Sequence, residues 1–144
     1  MAVMSLQSVK GVSFGAGFGS AEKNGSLMHD VIKYSKKEGY YRETNNAGGF
    51  EGGMTNGMPV CVAAALKPIS TVGKGLASVN VKSKKAVKTV YERSDVCAIP
   101  AASVIIEGIV AVEIVKALQR QFGGDEIGRM KKAYAEYKKY TVKF

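Results

Sequence analysis

The chain has 144 residues and a mass of 15.3 kDa, enough for one domain with one modest core. Hydrophobic residues make up 46% and charged residues 23%, which excludes general disorder, and no apolar run approaches the ~20 residues that a spanning helix needs. Twenty-one Lys and Arg stand against twelve Asp and Glu, so the formal charge of +9 favours anionic partners.

The opening stretch, MAVMSLQSVKGVSF, has none of the features of a secretory signal, so the expected compartment is the cytosol with no membrane partner. Glycine is concentrated in the first half, in GVSFGAGFGSAEKNG at 11–25 and GGFEGGMTNG at 48–57. Between them, 33–45 is polar and charged without a helical or strand period. Residues 20–58 are therefore read as a long irregular segment with room for a small hairpin, and segments of that kind are usually functional.

A strand is expected at 59–66, PVCVAAAL, opened by Pro59, and its near-continuous apolar character predicts burial on both faces. Lys67-Pro68 stops it, and 69–77 is a glycine-punctuated loop. Residues 78–91 alternate small or apolar with basic, which predicts two short strands with a solvated cationic face.

From 100 to 122 the spacing of Val104, Ile105, Gly108, Ile109, Val112, Val115 and Leu118 predicts a helix. Pro100 fits its first turn and Gly123-Gly124 its stop. Being apolar around most of its circumference, it is expected to be largely buried. Glu107 and Glu113 on it would then need partners, as satisfied structural carboxylates or as a base. A second, amphipathic helix is expected over 125–140, capped by Asp125 and packed on the core. Strands and glycine loops first, helices last, make the fold class α+β in a single domain, 1–144.

Cys61 and Cys97 lie in apolar surroundings, with no CxxC and a single histidine, so both are expected to be buried and reduced, without a metal. No nucleic-acid motif accompanies the basic charge, so nucleic acid is not expected as a partner.

Three segments carry more specific chemistry. In TNNAGGFEGGMTNG at 44–57, paired glycines allow close backbone approach to a ligand, or simply form a string of tight turns. In LKPIST at 66–71, a lysine and two hydroxyls where a strand meets its loop suit an anion. In ERSDVCAIP at 92–100, Arg93 and Asp95 project from one face of extended chain, as a rim ion pair or as ligand contacts.

GVSFGAGF, TNNAGGFEGGMTNG, ALKPIST and ERSDVCAIPAA, in this order and at these intervals, resemble chorismate synthase. The resemblance runs from about Ser5 to near Phe122 and is to the carboxyl-terminal part of the family only. It implies a β-α-β sandwich whose halves resemble each other, usually assembled as a homotetramer. It also implies conversion of 5-enolpyruvylshikimate 3-phosphate to chorismate by 1,4-elimination of phosphate in the shikimate pathway, with reduced FMN required and NADP associated with the family.

Carried over by position, the resemblance places flavin contacts on Gln7 and Ser8, where many members have Asn-Ala, and on Gly52. They continue along Lys67, Pro68, Ile69, Ser70 and Thr71 and end at Arg93, with Asp95 near the flavin ring as a catalytic residue. Many members read RHDPC where this chain has Arg93-Ser94-Asp95-Val96-Cys97. The family's catalytic histidines and several substrate-binding arginines belong to the amino-terminal half, so a separate amino-terminal half is an expected partner. His29 matches none of those histidines and is expected on the surface. The alternative is a non-catalytic flavin- or phosphate-ligand-binding module, or an assembly module, derived from that enzyme.

Overall fold

The computed structural model describes residues 1–92 and 96–141. After a 3-10 turn at Val3–Ser5, strand β1 (Val9–Phe14) pairs antiparallel with β6 (Val62–Leu66), from Val9↔Leu66 to Phe14↔Val62, with a bulge between Val9 and Gly11. Between these partners lie a 3-10 segment (Gly17–Glu22), a single-turn helix α1 (Gly25–Met28) and two hairpins. The hairpins are β2–β3 (Ile32–Ser35, Gly39–Arg42) and β4–β5 (Phe50–Glu51, Met54–Thr55). The segment read as irregular thus holds two hairpins. Their turns rest on glycines with positive φ, Gly39 in one and Gly52-Gly53 in the other. β1 was not foreseen, because its period is short and Gly11 interrupts it.

Beyond β6, β7 (Ala77–Val79) and β8 (Ala86–Lys88) form the expected basic hairpin. Asn80 caps its turn by accepting the N–H groups of Lys82 and Ser83 at 3.0 and 2.9 Å. Helix α2 (Ile99–Phe122) has Pro100 in its first turn and ends at Gly123, as the spacing predicts. Helix α3 (Ile127–Thr141) starts after Glu126 rather than at Asp125; Glu126 Oε2 holds Arg129 at 3.0 Å and its carbonyl accepts the Met130 N–H. α3 packs on the end of α2 through Phe122, whose ring meets Tyr134 and Tyr137 at 5.5 Å each, and it buries no residue of its own.

The described chain is mixed helix and strand, but its strands form four separate two-stranded antiparallel sheets. Among described hydrophobic residues only Val3, Val9 and Ala102 are buried. The expectation that α2 is largely buried is corrected: it turns one face toward β6 and leaves the other open. Glu113 on it is solvent-exposed and paired with Lys116 at 2.8 Å, and Glu107 is exposed too, so neither is a buried carboxylate. Burial of β6 on both faces is also corrected. Val62, Ala64 and Leu66 are half-covered beneath α2, whereas Ala63 and Ala65 face outward, since a two-stranded ladder here carries one covering layer.

Even on the covered side α2 stands off the sheet. It leaves cavities of about 310 and 380 Å³ lined by residues such as Ala64, Leu66, Ile106, Ile109 and Leu118. Cys61 and Cys97 are free, as expected, but exposed rather than buried, for the same want of cover.

Candidate functional site

Ser8, just ahead of β1, is one of two described non-glycine residues with positive φ, at 71°, and its carbonyl accepts the Lys67 N–H at 2.7 Å. That bond extends the β1–β6 ladder by one rung beyond Val9↔Leu66. It sets Gln7 and Ser8 beside the segment that leaves the sheet at Lys67, although sixty residues separate them. A strained backbone at such a place persists only where its surroundings hold it.

The run from Lys67 to Ser70 then forms one wall of a cavity of about 710 Å³. Gln7 and Ser8 form the second wall, and Val96, Cys97, Ala98 and Ile99, which lead into α2, form the third. The volume falls in the range of small-molecule sites. Its polar equipment is the Lys67 ammonium, the hydroxyls of Ser8 and Ser70, the Gln7 amide and the Cys97 thiol, over an apolar floor of Ala64, Leu66 and Ile99. No described carboxylate lies within ion-pair range of Lys67. Such a donor set suits an anionic ligand with a flat apolar portion.

Of the expected site residues, Gln7, Ser8, Lys67, Pro68, Ile69 and Ser70 therefore come together. Thr71 follows directly but does not line the cavity. Gly52 sits exposed at the tip of the β4–β5 turn and does not line it either, with φ +57 and open space around it. Arg93 and Asp95 lie outside the described residues. His29 is on the surface, as expected.

The glycine loop divides in two. Gly48 and Gly49 are buried, and a Cβ on Gly48 would fall 2.7 Å from the Gly15 Cα and 3.0 Å from the Cys61 carbonyl oxygen. One on Gly49 would fall 2.7 Å from the Pro59 carbonyl oxygen, and one on Gly15 would collide with the backbone of Asn46 and Gly48. These three glycines serve the crossing of chain segments, whereas Gly52 and Gly53 stay free.

Sequence reasoning missed the residue that organises this crossing. Asp30 is the one buried charged side chain described, at 7% exposure. Its carboxylate accepts the Thr44 hydroxyl at 2.6 Å, the Asn46 N–H at 2.8 Å and the Ala47 N–H at 2.9 Å. Burial alone would raise its pKa, but these hydrogen bonds and the charge of Arg42 outweigh burial and hold it below the usual value.

Asn45 continues the network, donating to the Pro59 carbonyl at 2.8 Å and accepting the Gly49 N–H at 2.9 Å. Arg42 meets Glu51 at 2.7 Å and so ties the two hairpins together. The sequence holds no direct signal for Asp30, since two of its three donors are backbone N–H groups.

The family model for chorismate synthase matches residues 1–119. A chorismate synthase of Oceanobacillus iheyensis is 50% identical over 137 residues, covering 94% of this chain and 35% of that protein. Those of Geotalea daltonii and Thermoanaerobacter pseudethanolicus are 49% and 48% identical, covering 100% and 99% of this chain but 38% and 41% of their own lengths. A crystal structure of chorismate synthase superposes with a TM-score of 0.76 at 38% identity, over 99% of this chain and 35% of that one. The chain thus spans from 35% to 41% of the length of these curated relatives.

Proposed function

Since the chain belongs to the chorismate synthase family, we propose that it is the carboxyl-terminal portion of such an enzyme and supplies the flavin-facing wall of its active site. The observation that carries this reading is the convergence of Gln7 and Ser8 with Lys67–Ser70 around one cavity. The reaction is the 1,4-elimination of phosphate from 5-enolpyruvylshikimate 3-phosphate to give chorismate. The completed fold is the β-α-β sandwich, in a cytoplasmic homotetramer.

The donor set fits a reduced FMN, which when bound lends electron density transiently to the eliminating substrate. Lys67 supplies a fixed positive charge for an anionic group, and Ser70 a neutral hydrogen bond. The Ser8–Lys67 backbone bond keeps both sides of the cavity in register, and Leu66 and Ile99 give it an apolar floor. In the completed enzyme Gly52 allows close backbone approach, Thr71 adds a further hydroxyl, and Arg93 adds a second cation. Asp95 manages a proton at the flavin ring.

The remaining portion of the polypeptide brings the histidines and the arginines that grip the substrate phosphate. Without them the chain alone is expected not to turn over, since losing one preorganised charge stabiliser already costs on the order of 10²–10³ in rate.

Chorismate formation with chemically reduced FMN under anaerobic conditions tests the proposal. Turnover is expected when the amino-terminal portion of a relative is added, and its absence there would refute the reading. In the reconstituted pair, Lys67→Ala and Arg93→Ala should each raise the Kd for FMN about tenfold, the effect of one charge-assisted hydrogen bond. Parental affinity in both variants would move the flavin elsewhere.

A further inference from the structure

We propose that the β7–β8 hairpin is an electrostatic collector for the anionic ligands of the Lys67 cavity, speeding their arrival without holding them once bound. The inference rests on the flavin reading above and deepens it by assigning the lysines that reading leaves unused.

Charge is unevenly placed along this chain. From Gly52 to Tyr91 no Asp or Glu occurs, while Lys67, Lys74, Lys82, Lys84, Lys85 and Lys88 contribute six of the twenty-one cations. All six are exposed, and among the described residues none takes part in an ion pair. The β2–β3 hairpin is built differently. There Lys33 meets Glu43 at 2.7 Å, and Glu38 follows Lys36 and Lys37 directly. A solvated hairpin ordinarily mixes the two signs, as that one does, whereas a surface of one sign projects a field.

One of these cations sits where a side chain is unfavourable. The β7–β8 turn is closed by the Lys84 N–H on the Asn80 carbonyl and by the Asn80 N–H on the Lys85 carbonyl, both at 2.9 Å. That closure holds Lys84 at φ +58, a left-handed position that suits glycine or asparagine better. No hydrogen bond or ion pair of its ammonium within the described residues accounts for a lysine there.

The place of the hairpin in the chain says what its field serves. Lys67–Ser70 form one wall of the cavity and 96–99 form another, while the hairpin lysines do not line it. β7 begins seven residues after Ser70, and β8 ends eight residues before Val96. Even a fully extended chain would keep each end within about 29 Å of the cavity. The Gly75 N–H, bonded to the Val72 carbonyl at 3.0 Å, folds the first tether and shortens it. Exposed charges act over about 30 Å in 0.01 M salt and about 8 Å in 0.15 M.

Both ligands of the proposed reaction are multiply charged anions, the flavin through its phosphate and the substrate through a phosphate and two carboxylates. Nucleic acid is the poorer ligand, because β7, β8 and their turn contain no arginine and no aromatic side chain on which a base would stack.

The test is stopped-flow association of oxidised FMN, followed by its fluorescence, with the chain paired with the amino-terminal portion of a relative. For the parent, the association rate constant should fall about tenfold between 0.01 and 0.3 M salt. Lys82→Gln, Lys84→Gln and Lys85→Gln combined should slow association about threefold at the lower salt, with the two proteins converging at the higher. Dissociation should be unchanged, unlike in Lys67→Ala, which removes a contact. Lys84→Gly separates charge from structure, since it should slow association while holding or raising the urea-unfolding midpoint. Lys36→Gln with Lys37→Gln should slow association less than Lys84→Gln with Lys85→Gln.

Equal association of parent and hairpin variants at low salt, an effect confined to dissociation, or equal slowing by the two lysine pairs would each overturn the proposal. So would salt-sensitive retention of duplex DNA that the hairpin substitutions abolish while FMN association stays unchanged, which would assign the hairpin to nucleic acid. If the pair binds no FMN, the functional reading fails and takes this inference with it. Binding of FMN at rates indifferent to the hairpin sinks the collector and leaves the functional reading standing.

Discussion

The glycine junction and helix α2 solve the same problem with opposite degrees of completeness. At the junction, residues 44–49, Gly15 and 59–61 meet within van der Waals contact, and Asp30, Asn45 and the local backbone satisfy one another at 2.6–3.1 Å. Along α2 the apolar surface is larger, yet only Ala102 is buried, and cavities separate the helix from β6. Polar geometry closes over short distances with whatever chain is at hand. Apolar burial needs a second layer, and the described residues furnish one for a single face of α2. The junction is therefore the part of this chain that holds its own shape.

The sharpest way to break that contrast is to compare glycines within one motif. Gly48→Ala forces φ +67 on a side-chain-bearing residue and drives its Cβ against the backbone of Gly15 and Cys61. It should lower stability by about 3–4 kcal/mol, near the upper end for single substitutions. Gly52→Ala, four residues on, meets open space, so it should cost only the conformational term of about 1–2 kcal/mol. Urea-unfolding midpoints read both, and equal costs would mean that the crossing is not the rigid part.

Asp30 gives the next largest effect. Asp30→Ala leaves two part-buried N–H groups and the Thr44 hydroxyl without an acceptor, a loss of about 2 kcal/mol. Asp30→Asn keeps an oxygen for Thr44 and Asn46 and faces the Ala47 N–H with an amide donor, so about 1 kcal/mol is expected.

The parent should also depend on pH with a definite sign. The folded pKa of Asp30 is depressed, so its contribution is fully present above the ordinary aspartate value. That contribution is lost as pH falls through the folded value, below about pH 4. The difference in stability between parent and Asp30→Asn should therefore shrink on acidification; a constant difference would put the carboxylate outside the network.

The two regions also differ in what could be read from the sequence. The bounds of α2 followed from the spacing of Val104, Ile105, Val112 and Val115 with Pro100 and Gly123 at its ends, because helix limits are local properties. Its burial did not follow, since periodicity reveals which faces are apolar and says nothing about what covers them. The Lys67–Ser70 run was legible as an anion site from residue chemistry, and its meeting with Gln7 and Ser8 came only from the resemblance. Asp30 stayed hidden because the β2–β3 hairpin, whose register carries it opposite Thr44 and next to Asn46 and Ala47, lies in a stretch read as irregular.

The smallest predicted effect separates the regions most cleanly, because its sign is inverted. Alanine at the junction glycines must destabilise, whereas Gly108→Ala should stabilise the lone chain by about 0.5–1 kcal/mol. The helical geometry of Gly108 suits any residue, no atom lies within 4 Å of the added methyl, and alanine loses less backbone entropy on folding. Thermal melts of the lone chain should show the gain, and a loss would mean that some part of this chain already packs against Gly108.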